Sequence, residues 1–123
     1  LATEDGQERW EFDAGAEVYG GPLVSKDLLL IPTEAGKLFA LDVKSGDVRW
    51  TFEIEAPLRC TPTIVNGHAL LAGCDGKLHT IGVADGKATG SCDLGDPTGN
   101  TAAVVGGIAY FGTEGGLFYA IDA

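Results

Sequence analysis

The sequence predicts an all-β fold assembled from repeated units of four short antiparallel strands. Three observations support this prediction: a motif returns every forty residues, apolar and polar side chains alternate inside it, and glycine-rich turns separate the alternating segments. Alternation with a period of two residues is typical of β-strands, whereas an amphipathic helix repeats about every 3.6 residues. The three observations together leave little of the chain for helices.

The repeat is clearest in the stretch from Gly36 to Phe52, which returns elsewhere in the chain at a constant interval. The matched positions are Gly36 with Gly76 and Gly116, Leu41 with Ile81 and Ile121, Gly46 with Gly6 and Gly86, and Trp50 with Trp10. A strict period in this range is the sequence signature of a solenoid or a propeller. The repeat therefore has to be explained before any single motif.

Turn signals divide each repeat into segments of strand length. Glycine and asparagine tolerate the positive φ that tight hairpins need, and they occur in the pairs Asn66-Gly67, Asp75-Gly76, Asp85-Gly86 and Gly106-Gly107. In the middle unit these turns place strands at residues 59–65, 68–73, 77–83 and 87–93. About forty residues with four strands is the size of one β-propeller blade.

The repeats divide a single domain of 123 residues into four parts. Residues 1–15 supply the outer strand of a partial blade, at 8–13, and residues 16–56 and 57–97 each form a complete blade. Residues 98–123 supply three strands of a further partial blade, at 101–105, 108–112 and 117–122. About three blades are predicted, fewer than the roughly four to eight of a closed propeller.

The motifs inside the repeat are similar to those of one known family. Ala40-Leu41-Asp42, Gly46 and Trp50 are followed by Thr61-Pro62, Asn66-Gly67 and Asp75-Gly76-Lys77-Leu78. This series resembles the pyrroloquinoline-quinone (PQQ) repeat of the quinoprotein-like β-propellers, which include outer-membrane barrel-assembly lipoproteins and quinoprotein alcohol dehydrogenases. The resemblance extends over essentially the whole chain, and it implies a periplasmic or otherwise extracytoplasmic location.

The resemblance also implies a structural role for the tryptophan of each unit. In this family the tryptophan docks between blades, against the alanine of the preceding strand and a glycine-containing turn. The same role would pair Trp50 with Ala40 and Gly46, and it places Trp10 and Gly6 in the preceding unit. The middle unit departs from the family pattern at Thr80, Gly82 and Gly90. A weaker blade contact is expected from that unit.

Three units cannot close a propeller, so part of the ring has to come from elsewhere. The strand at 117–122 has no following strand in the sequence, and the strand at 8–13 lacks the inner strands of its own blade. Folded β proteins avoid such open apolar edges because they recruit other strands. We expect completion by the remaining blades of a parent chain, or a head-to-tail homo-oligomer in which Trp10 of one copy packs near Ala120 of the next.

Charge and hydropathy exclude two classes of partner. Eighteen acidic and eight basic side chains give a net charge of −10, which repels the phosphate backbone of nucleic acids. The longest apolar run, Leu28-Leu29-Leu30-Ile31, is far shorter than the roughly 18 residues of a membrane span. Four acids, Glu11, Asp13, Glu53 and Glu55, fall at the ends of equivalent outer strands. They either form an acidic rim for a basic partner or, as we favour for the acids in general, confer solubility.

The spacing of the cysteines and histidines along the sequence does not predict a metal site. Cys60, Cys74 and Cys92 lack the two-to-four-residue separation of zinc ligands, and His68 and His79 are interpreted as ordinary strand residues. In the quinoprotein dehydrogenases, calcium and an adjacent cysteine pair accompany the quinone. The sequence has no Cys-Cys pair and no long inserted loop, so we expect no cofactor.

The cysteines have structural interpretations instead. The Asn66-Gly67 hairpin makes Cys60 and Cys74 near neighbours, with Cys60 opposite Gly73. Cys92 occupies the place that Phe12 and Phe52 take in the other units, which predicts a small buried hydrophobic residue.

Function has to come from particular sites, because a fold does not carry one. Ser25, Ser45 and Ser91 lie in no nucleophile-elbow sequence, so catalysis by this chain alone is not expected.

A binding or scaffold module for a protein partner is the first hypothesis. Its candidate residues are Tyr19, Arg59 and Asn100, just before the inner strands of successive blades, because functional residues concentrate on loops. The alternative for these side chains is that Tyr19 packs and Arg59 pairs with a neighbouring acid. The alternatives for the chain are a fragment of a quinoprotein dehydrogenase and a sensor domain of a larger signalling protein.

Overall fold

The structure is a computed structural model that describes residues 10–98 and 101–122. Within these residues the secondary structure consists of β-strands, with no helix long and apolar enough to cross a membrane. The strands are β1 (Leu23–Ser25), β2 (Leu28–Pro32), β3 (Lys37–Asp42), β4 (Val48–Glu53), β5 (Thr63–Val65), β6 (His68–Ala72), β7 (Lys77–Gly82), β8 (Ala88–Asp93), β9 (Ala103–Val105), β10 (Ile108–Gly112) and β11 (Phe118–Asp122).

The strands form three antiparallel sheets, each in simple chain order. The first sheet holds β1 to β4, the second holds β5 to β8, and the third holds β9 to β11. Each four-stranded sheet is one meander, so every strand pairs with its neighbour in sequence. The predicted all-β fold of four-stranded antiparallel propeller blades is confirmed.

Three strand predictions need correction. The strand expected at 101–105 is shorter, Ala103–Val105. The inner strand of the second sheet begins at Thr63 rather than at residue 59, because Pro62 has no N–H to donate and Thr61 bonds to neighbouring sheets instead. The expected strand at 8–13 is also absent over residues 10–13, since no described strand lies beside them to supply ladder hydrogen bonds. Residues 8 and 9 lie outside the described part of the chain.

The two complete sheets share a β-bulge at the same repeat position. In the first sheet Ala40 pairs with Trp50 and Leu41 pairs with Val48, so Arg49 is the extra residue. The second sheet has the same irregularity between Thr80 and Ile81. A bulge re-aims the side chain of the extra residue, and Arg49 uses it to reach Asp42, with 2.5 Å between Nη2 and Oδ2.

The core runs between neighbouring sheets as one cluster. Its fully buried members come from the two central strands of each sheet and from the linkers, for example Leu30, Leu38, Leu58, Leu71 and Ala109. Burial alternates from Lys37 to Ala40 of β3, as expected for period-two patterning, and consecutive residues are buried at Ala40-Leu41 and, in β7, at Leu78-His79. The face-to-face packing of sheets therefore buries the apolar positions that define the repeat.

Hydroxyl groups on the inner strands join the sheets directly. Thr61 Oγ1 donates to the Gly21 carbonyl oxygen at 3.0 Å, and Thr101 Oγ1 accepts from the Thr61 backbone N–H at 3.1 Å. Thr63 Oγ1 donates to the Ala102 carbonyl oxygen at 2.6 Å. These bonds fix the spacing of consecutive inner strands.

Antiparallel meanders place successive turns at alternate ends of the sheet, which gives the molecule two distinct faces. We call one the loop face; it carries residues 16–21, 33–36, 56–61, 73–76, 95–98 and 113–116. The other is the turn face, with residues 26–27, 43–47, 66–67, 83–87 and 106–107.

Candidate functional site

Trp10, the first tryptophan in the sequence, packs against the turn between β3 and β4 of the first sheet. A Cβ atom added to Gly46 would stand 2.7 Å from Cδ2 of Trp10, so the ring rests on the bare glycine. The Trp10 indole N–H also donates to the Val43 carbonyl oxygen at 2.9 Å. The segment preceding the first sheet is thus held to that sheet by one aromatic side chain.

Trp50 makes the same pair of contacts one repeat later. Its ring occupies the space a Cβ atom of Gly86 would need, and its indole N–H donates to the Val83 carbonyl oxygen at 2.8 Å. Trp50 remains partly exposed, because it lies on the outermost strand of its sheet. Trp50 on the outer strand of the first sheet therefore contacts the turn between β7 and β8 in the second sheet.

These contacts correct the predicted partner of Trp50. Gly46 contacts Trp10 rather than Trp50, because each ring projects forward to the next sheet and not back onto its own turn. Ala40 is fully buried and is the cross-strand neighbour of Trp50 within the same sheet. Ala120 is exposed on β11, and Gly6 lies outside the described residues.

A second aromatic series follows the same forty-residue spacing. Phe12 packs edge-on against Phe39 with 5.0 Å between ring centroids, and Phe52 packs against His79 at 5.6 Å. The third member would be Cys92 with Tyr119. The predicted burial of Cys92 is wrong: the thiol is exposed, because a cysteine side chain is too short to cover a ring as phenylalanine does.

All three cysteines are free thiols. Cys60 is buried, and its Sγ lies 2.8 Å from the Ala72 carbonyl oxygen. Burial raises the pKa of the Cys60 thiol above its usual value. Burial also raises the pKa of the half-exposed Cys74. Both thiols are therefore less reactive than an ordinary cysteine.

The His79–Asp75 pair looks at first like the acid–base pair of an enzyme. His79 Nε2 lies 2.8 Å from Asp75 Oδ2, but only 8% of His79 is exposed and Phe52 packs against its ring. A general base has to reach the proton that it removes. The His79 ring is covered, and its hydrogen bond to the exposed Asp75 braces the turn between β6 and β7. No group of three or more candidate metal ligands occurs within residues 10–98 and 101–122.

Two of the predicted partner-binding residues meet on the loop face. Arg59 forms a two-point ion pair with Glu34, with 2.7 Å from Nε to Oε1 and 3.4 Å from Nη2 to Oε2. Tyr19 lines the same shallow depression as this pair, and 65% of Tyr19 is exposed. The third predicted residue, Asn100, lies outside the described part of the chain.

Electrostatics on the loop face follow from these neighbours. A hydrogen bond to Glu17 and the charge of that carboxylate raise the pKa of the Tyr19 phenol. The hydrogen bond to Glu34 raises the pKa of the Arg59 guanidinium. Both side chains keep their proton donors over the whole physiological range of pH.

The loops that carry Tyr19 and Arg59 are held by backbone hydrogen bonds that recur every forty residues. Glu34 N donates to the Glu17 carbonyl oxygen at 2.8 Å, and Leu58 N donates to the Thr33 carbonyl oxygen at 3.0 Å. The first bond fixes the linker that holds Tyr19, and the second fixes the linker that holds Arg59. Loops anchored in this way lose little conformational entropy when a ligand binds.

Sequence inspection missed Glu34 as a member of the site. It lies twenty-five residues before Arg59 in the chain, and only the assembly of two sheets brings the two together. The four acids expected at the outer-strand ends, Glu11, Asp13, Glu53 and Glu55, are all exposed.

Comparison with solved structures agrees with the fold. BamB from Moraxella catarrhalis superposes with a TM-score of 0.84 at 23% identity, over 93% of this chain and 36% of that one. The quinohemoprotein alcohol dehydrogenase ADHIIG from Pseudomonas putida HK5 gives 0.80 at 19% identity, over 92% of this chain and 20% of that one. The computationally designed protein Ika4 gives 0.65 at 11% identity, over 94% of this chain and 97% of that one.

These similarities establish the fold alone, because all three identities are below 25%. The chain spans about a third of the Moraxella structure and a fifth of the dehydrogenase. No curated protein matches the sequence significantly. A family model described as outer membrane protein assembly factor BamB does match it, over residues 1–123. The chain therefore belongs to the BamB family of PQQ-repeat β-propeller proteins.

Proposed function

We propose that this chain is a non-catalytic segment of a β-propeller that binds a protein partner through its loop face. The observation that carries the proposal is the exposed Tyr19 beside the Arg59–Glu34 ion pair, on loops braced by backbone hydrogen bonds. Tyrosine and arginine are enriched among the residues that dominate binding energy at protein interfaces. Asn100, forty-one residues after Arg59 in the sequence, is proposed to extend this surface.

The charge of the loop face favours a basic partner surface. Arg59 is the one basic residue in the described loop-face segments, whereas their acidic residues are Glu17, Glu34, Asp75, Asp96 and Glu114. Complementary potentials speed association and suppress wrong partners. Membership of the BamB family supports a role in protein assembly and an extracytoplasmic location.

The absence of catalysis by this chain alone is part of the same proposal. The His79 ring is buried and covered by Phe52, so it makes a poor general base. The dehydrogenase alternative draws on a similarity of fold only. No feature of the described residues favours a sensor role over protein binding.

Site-specific photo-crosslinking in the native host tests the proposal. A benzophenone amino acid at position 19 should give a discrete protein adduct. The matched control is position 105, where Val105 is 71% exposed at the end of β9, next to the turn-face residues 106–107. Arg59→Ala should reduce the adduct from position 19. No adduct from position 19, or equal adducts from both positions, would contradict the proposal.

A further inference from the structure

The outer strand of the second sheet differs from its counterpart one repeat earlier. In β4 the aromatic residues Trp50 and Phe52 are partly buried. At the equivalent positions β8 has Gly90 and Cys92, and all six of its residues are exposed. A Cβ atom added to Gly90 would meet nothing within 4 Å. β8 is therefore an outer strand without an aromatic cover.

A recess lies on the face of the second sheet where the tryptophan is replaced. Leu70, Thr80 and Gly90 pair in a row across β6, β7 and β8, so they share this face. The recess has a volume of about 320 Å³, and its lining includes Leu70 and Thr80. Thr80 is partly exposed, whereas Ala40, the cross-strand neighbour of Trp50, is fully buried. Since an apolar cavity of about 150 Å³ can hold a benzene ring, the recess has room for one aromatic side chain.

The edge of β8 also presents backbone groups that no strand covers. Among the described strands β8 pairs with β7 alone. The Leu94 N–H donates to the Gly76 carbonyl oxygen at 2.7 Å, and inward and outward groups alternate along an antiparallel strand. The backbone groups of Ser91 and Asp93 therefore point away from β7. An edge of this kind pairs readily with an added strand.

β8 has little of the protection that edge strands usually carry. Natural edges are blocked by lysine, proline or bulges, and the sequence of β8, Ala-Thr-Gly-Ser-Cys-Asp, contains neither lysine nor proline. Its bulge residue is Thr89, near the start of the strand, so residues 90–93 keep regular pairing. A glycine inside a strand often marks a place where another backbone approaches closely.

We propose that β8 binds an extended segment of a partner protein as an additional strand, and that an aromatic residue of this segment covers Gly90. The backbone of the segment pairs with Ser91 and Asp93, and the aromatic ring fills the recess beside Thr80. An aromatic side chain across from a glycine at a sheet edge is a recognised stabilising pair. The ring supplies the cover that Trp50 provides in the first sheet. This contact is separate from the proposed site on the loop face.

Three synthetic peptides test strand addition on the whole chain. The probe is a fluorescent heptapeptide, Thr-Val-Thr-Trp-Thr-Val-Thr, and its anisotropy should show saturable binding with a Kd below about 1 mM. Replacing the tryptophan of the peptide with alanine should weaken binding at least about tenfold, because the recess stays empty. Methylating the backbone nitrogens of the two threonines beside the tryptophan should also weaken binding at least about tenfold, because these N–H groups pair with the edge.

Two proline variants locate the edge that binds the probe. Ser91→Pro removes an N–H that points away from β7, so β8 keeps its own pairing. This variant should weaken binding of the probe at least about tenfold. Thr51→Pro is the matched control at the equivalent position of β4, and it should leave the affinity unchanged. Circular dichroism checks that both variants fold.

Gly90→Trp copies the first sheet and fills the recess from β8 itself. This variant should bind the tryptophan and alanine peptides equally, because the aromatic contact is no longer free to form. If Ser91→Pro does not fold, the methylated peptide and Gly90→Trp decide the same question. No saturable binding of the probe, equal binding of the tryptophan and alanine peptides by the unmodified chain, full binding of the methylated peptide, or an equal loss with Thr51→Pro would overturn the proposal.

Discussion

Single residues of the repeat acquire their role from the side chain or backbone that faces them in space. Asp42 accepts a hydrogen bond from Arg49 and two more from the backbone N–H groups of Lys44 and Ser45. The guanidinium of Arg49 and these two backbone donors lower the pKa of the Asp42 carboxyl from 3.8 to about 2. The carboxylate therefore stabilises the turn only while it is ionised.

The sign of this linkage gives a pH-dependent prediction. The folded-state pKa of Asp42 is below the unfolded value, so its contribution to stability is present above about pH 4 and is lost as the pH falls towards 2. NMR titration of the Asp42 carboxyl should give a pKa of about 2, rising towards 3.8 in Arg49→Ala. An unchanged pKa in that variant would remove Arg49 as the cause.

Cysteine reactivity is a second prediction at this scale. Cys92 is exposed, whereas Cys60 is buried with a raised thiol pKa. Alkylation by iodoacetamide, followed by peptide mass spectrometry, should modify Cys92 first, Cys74 more slowly and Cys60 last. Modification of Cys60 as fast as Cys92 under native conditions would contradict the burial of Cys60 against Ala72 of β6.

At the scale of elements, the tryptophan contact is the device that joins one sheet to the next. The side chain of Trp50 extends from the outer strand β4 and covers Gly86, and its indole N–H donates to the Val83 carbonyl oxygen. Trp10 does the same with Gly46 and Val43. The turn requires glycine for two reasons: its backbone has a positive φ, and the tryptophan ring occupies the space that a Cβ atom would need.

A matched pair of glycine substitutions separates these two requirements. Gly86 and Gly107 have φ values of +71° and +80°, but only Gly86 has a ring where a Cβ would go. Gly107→Ala should cost about 1 kcal/mol of stability from the backbone alone. Gly86→Ala should cost at least about 2 kcal/mol, because Trp50 must also move. Chemical denaturation measures both values, and equal losses would contradict a close Trp50–Gly86 contact.

The sequence predicts the elements well because turn chemistry and alternation are local. The pairs Asn66-Gly67 and Gly106-Gly107, with the alternation that follows each, place β6 and β10 within a residue of their observed bounds. Contacts between repeats are harder to predict: the repeat pattern pairs Trp50 with its own turn, and it does not connect Glu34 with Arg59. Both errors concern partners in another sheet, which the order of residues along one strand does not specify.

At the scale of the whole molecule, consecutive sheets create two faces with different chemistry. The loop face presents Tyr19 and the Arg59–Glu34 pair among acids, and the turn face presents the Arg49–Asp42 pair. The braced linkers of the loop face need little reorganisation for binding. This rigidity supports the proposal that a protein partner binds at the loop face.

Hydrogen–deuterium exchange of the protein with and without the partner identified by crosslinking tests this assignment most directly. We predict slower exchange on binding in residues 16–21, 33–36 and 56–61, where the backbone carries Tyr19, Glu34 and Arg59. Exchange in the β3–β4 turn at 43–47 should not change, and that turn serves as the internal control. Protection confined to the turn face, with the three loop-face segments unaffected, would contradict the central claim.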